Sequence, residues 1–128
     1  WSRVCALPAF WTGILYDEEI LDQVSSIIKS WSYDQVKNFY KEVRINGFNS
    51  YTPDKENLKN FSKKIIDLSS IGLKKRNIEN AGKTEDSFLE PLIEIIRSGE
   101  SPALKWKKLY LNQWSNNIDM LYTNNYFK

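Results

Sequence analysis

The sequence predicts a mainly α-helical fold of about six helices joined by short turns. Three observations predict it. Apolar residues recur at three- and four-residue spacing in one segment after another. Helix-start signatures, an Asp, Ser or Thr followed by acidic residues, Gln or Pro, punctuate those segments. No stretch shows the alternation of a half-buried strand.

The first element is the run Ser2–Asp17, the most apolar of the chain. Pro8 suits the first turn of a helix, where its missing N–H is not needed. Ala9–Tyr16 is apolar nearly all round, apart from Thr12 and Gly13, so a buried core helix is expected. Gly13 has no side chain and lets another backbone approach. The run is too short to cross a bilayer.

Asp17 caps the second helix, with Glu18 and Glu19 in its first turn. Ile20, Leu21, Val24, Ile27 and Ile28 form its stripe, and it ends near Lys29 or Ser30. Ser32 and Gln35 make a capping box for the third helix, whose stripe is Val36, Phe39, Tyr40 and Val43 and whose stop is Gly47. The loop Phe48–Tyr51 follows. Thr52-Pro53 reads as N-cap and first position of the fourth helix, with Asp54 and Glu56 in its first turn. Leu58, Phe61, Ile65 and Leu68 continue it, and Gly72 marks a stop or bend.

Lys74-Lys75-Arg76 is the single tight basic cluster and reads as a solvated helix end. Residues 80–83 read as a polar loop. Thr84 signals a fifth helix carrying Phe88, Leu89, Leu92, Ile93 and Ile96, but Pro91 lies beyond its first turn and implies a kink or a later start. Gly99 ends it. Ser101-Pro102 opens the sixth, with Trp106, Leu109, Tyr110 and Gln113 or Trp114 as its stripe and Lys105, Lys107 and Lys108 toward water. Asn116 and Asn117 break the pattern, and Ile118–Phe127 reads as a short final helix or docked tail.

The 128 residues suit one ordinary domain with no linker or repeat, and 41% hydrophobic residues suffice for a packed core. Eighteen basic and 16 acidic residues leave a net charge of +2, which argues against nucleic acid or membrane as partner. One cysteine excludes an internal disulfide, and the lack of histidine removes His-based catalysis and metal sites. There is no phosphate-cradling glycine loop, nucleophile elbow or metal-ligand spacing. Glu18, Glu19 and Asp22 read as an ordinary dipole arrangement at a helix start. The residues by themselves describe a helical globular piece without a catalytic constellation.

The opening string Trp1-x-Arg3-x-Cys5-Ala6-Leu7-Pro8-Ala9-Phe10-Trp11-x-Gly13-x-Leu15-Tyr16-Asp17 resembles a signature of glutamate–cysteine ligase of the plant and proteobacterial type. Further similarities follow in the same order over essentially the whole chain. They are Trp31, Gly47-Phe48, Ile71-Gly72-Leu73-x-x-Arg76, Phe88-Leu89-Glu90-Pro91-Leu92, Gly99-x-Ser101-Pro102-Ala103 and Leu109-Tyr110-x-x-x-Trp114.

The resemblance implies that residues 1–128 form a single segment, the C-terminal helical portion of a glutamine-synthetase-like α+β ligase whose sheet lies upstream. It implies an ATP-dependent reaction joining the glutamate γ-carboxylate to the cysteine amine through a γ-glutamyl phosphate, the first step of glutathione biosynthesis. Glutamate and cysteine are then the substrates, and ATP and magnesium are held mainly by upstream residues. No catalytic or metal-binding residue is expected in this segment, which alone should be inactive. The upstream part of the same polypeptide is the implied partner, without nucleic acid or membrane, and the implied location is the cytoplasm.

Three positions carry site expectations from the resemblance. Arg3 matches the signature arginine and is expected near the ATP phosphates, which suit a guanidinium, with a structural ion pair as the alternative. Ser2 stands where relatives often carry a second arginine. Trp1 and Trp11 read as packing residues, Trp1 being also a candidate for the edge of the substrate cavity. Cys5 matches a cysteine that pairs with a distant upstream cysteine in a redox switch of the plant branch; a buried reduced thiol is expected here.

The competing reading is a stand-alone helical protein-interaction module without catalysis. Its apolar surface should be closed. A ligase segment should instead leave the face carrying Leu7, Phe10, Trp11 and Leu15 partly uncovered.

Overall fold

Two helices cross at a pair of glycines at the centre of the fold. A computed structural model describes residues 2–80 and 82–120, the side chains of residues 2, 3, 79, 80 and 83 excepted. Among these residues six α-helices follow in chain order: α1 (Ser2–Leu15), α2 (Glu18–Ile28), α3 (Tyr33–Asn46), α4 (Leu58–Arg76), α5 (Glu90–Ser98) and α6 (Pro102–Asn112). Short 3₁₀ turns cover Gly47–Asn49 and Glu85–Leu89.

The local start signals act as the sequence predicts in α2, α3 and α6. The Asp17 carboxylate accepts from the Ile20 N–H at 3.0 Å. The Ser32 hydroxyl accepts from the Gln35 N–H at 3.3 Å, and the Gln35 side chain returns to the Ser32 N–H at 2.8 Å. Ser101 accepts from the Leu104 N–H at 3.2 Å. Pro91 delays α5 to Glu90, after the Glu85–Leu89 turn, where the proline falls in the first turn that suits it best. Gly99, at φ +70°, ends that helix.

Four expectations need correction. Pro8 lies inside α1, which begins at Ser2, so the helix runs on through a residue that donates no hydrogen bond. Thr52-Pro53 opens a tight turn rather than α4. The Lys55 N–H donates to the Thr52 carbonyl and the Thr52 N–H to the Glu56 carbonyl, both at 2.8 Å, and Lys55 sits at φ +63°. Asp54 is drawn away by the Trp31 indole N–H at 2.6 Å, and Asn57 caps the helix instead, accepting from the Lys59 N–H at 3.0 Å. Gly72 does not stop α4, which continues to Arg76. Finally, the polar loop around residue 81 is flanked by a two-residue antiparallel ladder, β1 (Glu79–Asn80) with β2 (Lys83–Thr84), in the register Glu79 opposite Thr84. The expected final helix or tail lies largely outside the described residues, which end at Met120.

α4 is the central element. It touches α1, α2, α5 and the Glu85–Leu89 turn. Ile66 and Leu73 of α4 and Leu89 of the turn form the buried core, joined by the partly buried Phe10, Leu92, Ile93 and Ile96. Trp31 meets the Phe39 ring edge to face and lies tilted against Phe61, which ties α3 to α4 through a ring cluster. Neither α3 nor α6 contributes a fully buried side chain.

Candidate functional site

Two of the residues singled out by the sequence, Arg3 and Cys5, lie at the N-terminal end of α1. Arg3 is in its first turn, with its side chain outside the described residues, and Trp1 lies outside them altogether. Cys5 is exposed, which corrects the expected buried thiol. The cause is helical phase: Ala6, one step on, is fully buried and faces the core, so Cys5 is turned away from it. Its neighbour is a cleft of about 330 Å³ walled by Val4, Pro8 and Thr12 of α1, Leu73 of α4, and Glu85 and Phe88.

The expectation that α1 is buried all round is also corrected. Ala6, Gly13 and Ile14 are buried. Val4, Leu7, Trp11 and Leu15 remain 66%, 56%, 54% and 55% exposed. Their spacing of three and four residues places them on one stripe. Phe10, beside it, is half-buried. Leu7 and Phe10 also border an apolar groove of about 300 Å³ that continues over Phe48, Phe61, Ile65 and Ile96. The uncovered stripe shares Leu7, Trp11 and Leu15 with the face the sequence singled out; Val4 joins it, while Phe10 packs against the core instead.

A dense set of ion pairs gathers at the C-terminal end of α4. Lys74 meets Asp86 at 3.4 Å, Lys75 meets Asp17 at 3.2 Å and Glu19 at 2.6 Å, and Arg76 meets Glu85 at 2.9 Å. The Arg76 guanidinium also lies over the Tyr16 ring, 5.1 Å from its centre. The basic cluster is thus not a merely solvated helix end. It pins the end of α4 to the α1–α2 joint on one side and to the Glu85–Leu89 turn on the other. The Ile20 N–H, then Lys75, holds the Asp17 carboxyl below its ordinary range. Glu19, then Asp17, raises Lys75. The Thr84 hydroxyl, then Lys74, lowers Asp86.

Sequence reasoning missed Tyr16, Arg76 and Glu85 as one unit, because nothing local joins residues so far apart. The available signal was the motif Ile71-Gly72-Leu73-x-x-Arg76 itself. Lys105, Lys107 and Lys108 are exposed as expected, Lys108 pairing with Glu100. Among the described residues no group of three His, Cys, Asp or Glu side chains is arranged to hold a metal ion. The described geometry builds and braces a surface; it does not assemble reacting groups.

The model of glutamate–cysteine ligase family 2 (GCS2) matches residues 1–124. The chain belongs to this family. It is 32% identical over 123 residues to the chloroplastic glutamate–cysteine ligase of Medicago truncatula, covering 95% of this chain and 23% of that protein. The corresponding chloroplastic enzyme of Nicotiana tabacum is 34% identical, with 95% of this chain and 22% of that protein covered. For Arabidopsis thaliana the identity is 31% over the same shares. This member of the glutamate–cysteine ligase family thus spans less than a quarter of the length of these three relatives. The match spans the opening signature and α1 to α6 together, so the exposed stripe and its ionic brace lie within the region shared with the family.

Proposed function

We propose that this chain is the C-terminal helical segment of an ATP-dependent ligase that joins the glutamate γ-carboxylate to the cysteine amine, opening glutathione biosynthesis. The observation that carries the reading is the family match over residues 1–124. The uncovered stripe Val4–Leu7–Trp11–Leu15 supports it, because a self-sufficient interaction module would close such a face. In this reading the stripe packs against upstream parts of the same polypeptide, including the sheet of a glutamine-synthetase-like fold.

In this reading magnesium is held mainly by residues elsewhere in the polypeptide, as one or two carboxylates and the phosphates of ATP suffice for it. Arg3 fits a phosphate by its chemistry. Its planar, permanently charged fork suits the phosphates of ATP, whose γ-phosphoryl group activates the glutamate carboxylate. Trp1 would edge the substrate cavity. Cys5, being exposed on α1, would be accessible to a redox partner from the upstream part. No helix among the described residues is long and apolar enough to cross a membrane, and the working compartment in this reading is the cytoplasm.

The test uses the longer polypeptide and the 128-residue chain side by side with glutamate, cysteine, ATP and magnesium. The longer protein should form γ-glutamylcysteine and ADP, and the chain alone should form neither. Lack of product from the longer protein would overturn the ligase; product from the chain alone would overturn the view that the segment lacks catalytic residues. Arg3→Ala in the longer protein should raise the KM for ATP, and unchanged turnover and ATP affinity would remove Arg3 from the site.

A further inference from the structure

We infer that Asn46 is a site of spontaneous deamidation and isoaspartate formation, gated by the last turn of α3. Asn46-Gly47 is the one Asn-Gly pair in the sequence. Both residues are exposed. A side chain built on Gly47 would meet no atom within 4 Å, so the α-carbon of the pair is open to solvent. The helix they terminate has no fully buried residue to hold its end down.

The chemistry follows from this geometry. The Gly47 backbone nitrogen attacks the Asn46 side-chain carbonyl, a C–N bond forms, and the side-chain nitrogen leaves as ammonia. Water then opens the succinimide at either carbonyl. One opening leaves aspartate at position 46, and the other leaves isoaspartate with the main chain routed through the side-chain methylene.

In the closed helix the attack is held back. The Gly47 N–H donates to the Val43 carbonyl, and Asn46 keeps helical angles, φ −101° and ψ −11°. Fraying of the terminal turn releases both at once. Asn49 and Asn57 lack this release. The residue after Asn49 is Ser50, which is fully buried and donates its N–H to the Gly47 carbonyl at 3.1 Å. The Asn57 side chain is already engaged by the Lys59 N–H.

The product changes the surface it sits on. A new carboxylate would stand at the C-terminal end of α3, where the helix dipole disfavours negative charge, on a groove shared with Arg44 and Lys107. The isoaspartyl form also lengthens the backbone just before the Gly47–Asn49 turn. An enzyme class able to consume that product is a carboxyl methyltransferase that methylates isoaspartate.

The experiment ages the folded protein and a urea-unfolded sample at mildly alkaline pH, then maps tryptic peptides by mass. The peptide from Ile45 to Lys55 should gain the mass of one amide-to-acid conversion. It should then accept methyl groups from an isoaspartyl methyltransferase. The folded rate should be about tenfold below the unfolded rate, as for a terminal turn that opens locally, yet above that of every other asparagine. Asn46→Gln, checked for an unchanged unfolding midpoint, should abolish the gain. A gain that persists in Asn46→Gln, or that appears first at another asparagine, overturns the site. Equal rates in folded and unfolded samples overturn the gating.

Discussion

A methyl group built on Gly72 would stand 1.9 Å from the carbonyl oxygen of Gly13. One built on Gly13 would stand 2.2 Å from the carbonyl oxygen of Ser69. α1 and α4 therefore touch backbone to backbone, with the buried Ser69 hydroxyl donating to the Phe10 carbonyl at 2.8 Å. Two glycines that weaken their own helices are retained because the crossing has no room for a Cβ.

Gly72→Ala should cost about 3 kcal/mol, the upper end for overpacking, since the obstacle is backbone rather than a flexible side chain. Ser69→Ala should cost about 1 kcal/mol through the lost hydrogen bond. Urea unfolding measures both. A Gly72→Ala loss near that of Ser69→Ala would show that the helices separate easily.

The Arg76 clamp should behave as a unit. Arg76→Ala should cost about 1–2 kcal/mol by removing the Tyr16 stacking and the Glu85 pair together. Arg76→Lys keeps the charge and loses the planar stacking, so it should restore only part. A double-mutant cycle with Glu85→Gln reads the pair directly, and zero coupling would reduce it to a coincidence of two side chains.

Stability should fall on the acid side. Asp17 and Asp86 titrate below their ordinary values in the folded chain. Their contribution is complete above the unfolded carboxylate value of about 3.9 and disappears as pH drops through the lower folded values. Lys75, raised in the fold, contributes fully below about 10.4 and loses that contribution as pH climbs through its folded value. Melting temperatures across pH should show the acid limb flattened in an Asp17→Asn, Asp86→Asn double variant. An unchanged limb would assign it to other groups.

The α1 stripe should be expendable in the segment and needed in the longer protein. Leu7→Ser with Trp11→Ser should shift the unfolding free energy of the 128-residue chain by less than about 1 kcal/mol, since both side chains are more than half exposed. The same pair of changes in the longer polypeptide should lower its melting temperature and its ligase activity. Equal, small effects in both would mean that nothing covers the stripe.

Much of the helix layout was legible because capping is local. Asp17, Ser32 with Gln35, and Ser101 act through backbone groups three residues away, and the sequence carries that information whole. The start of α4 was not legible, since Thr52-Pro53-Asp54 is as good a turn signal as a helix signal and a distant indole decides between them. Gly72 read as a stop because its reason for being glycine lies on another helix. At the candidate site the outward stripe was foreseen, but the exposure of Cys5 depends on which side α4 occupies.

The glycine crossing also acts as a fulcrum. Arg3 lies ten residues from Gly13, about 15 Å along the helix axis at 1.5 Å per residue. A tilt of about 5° at the crossing would swing the backbone of residue 3 by about 1.3 Å. Because the contact is between main chains, no side-chain rotamer is available to absorb such a tilt. The aim of the arm is fixed where it is thinnest.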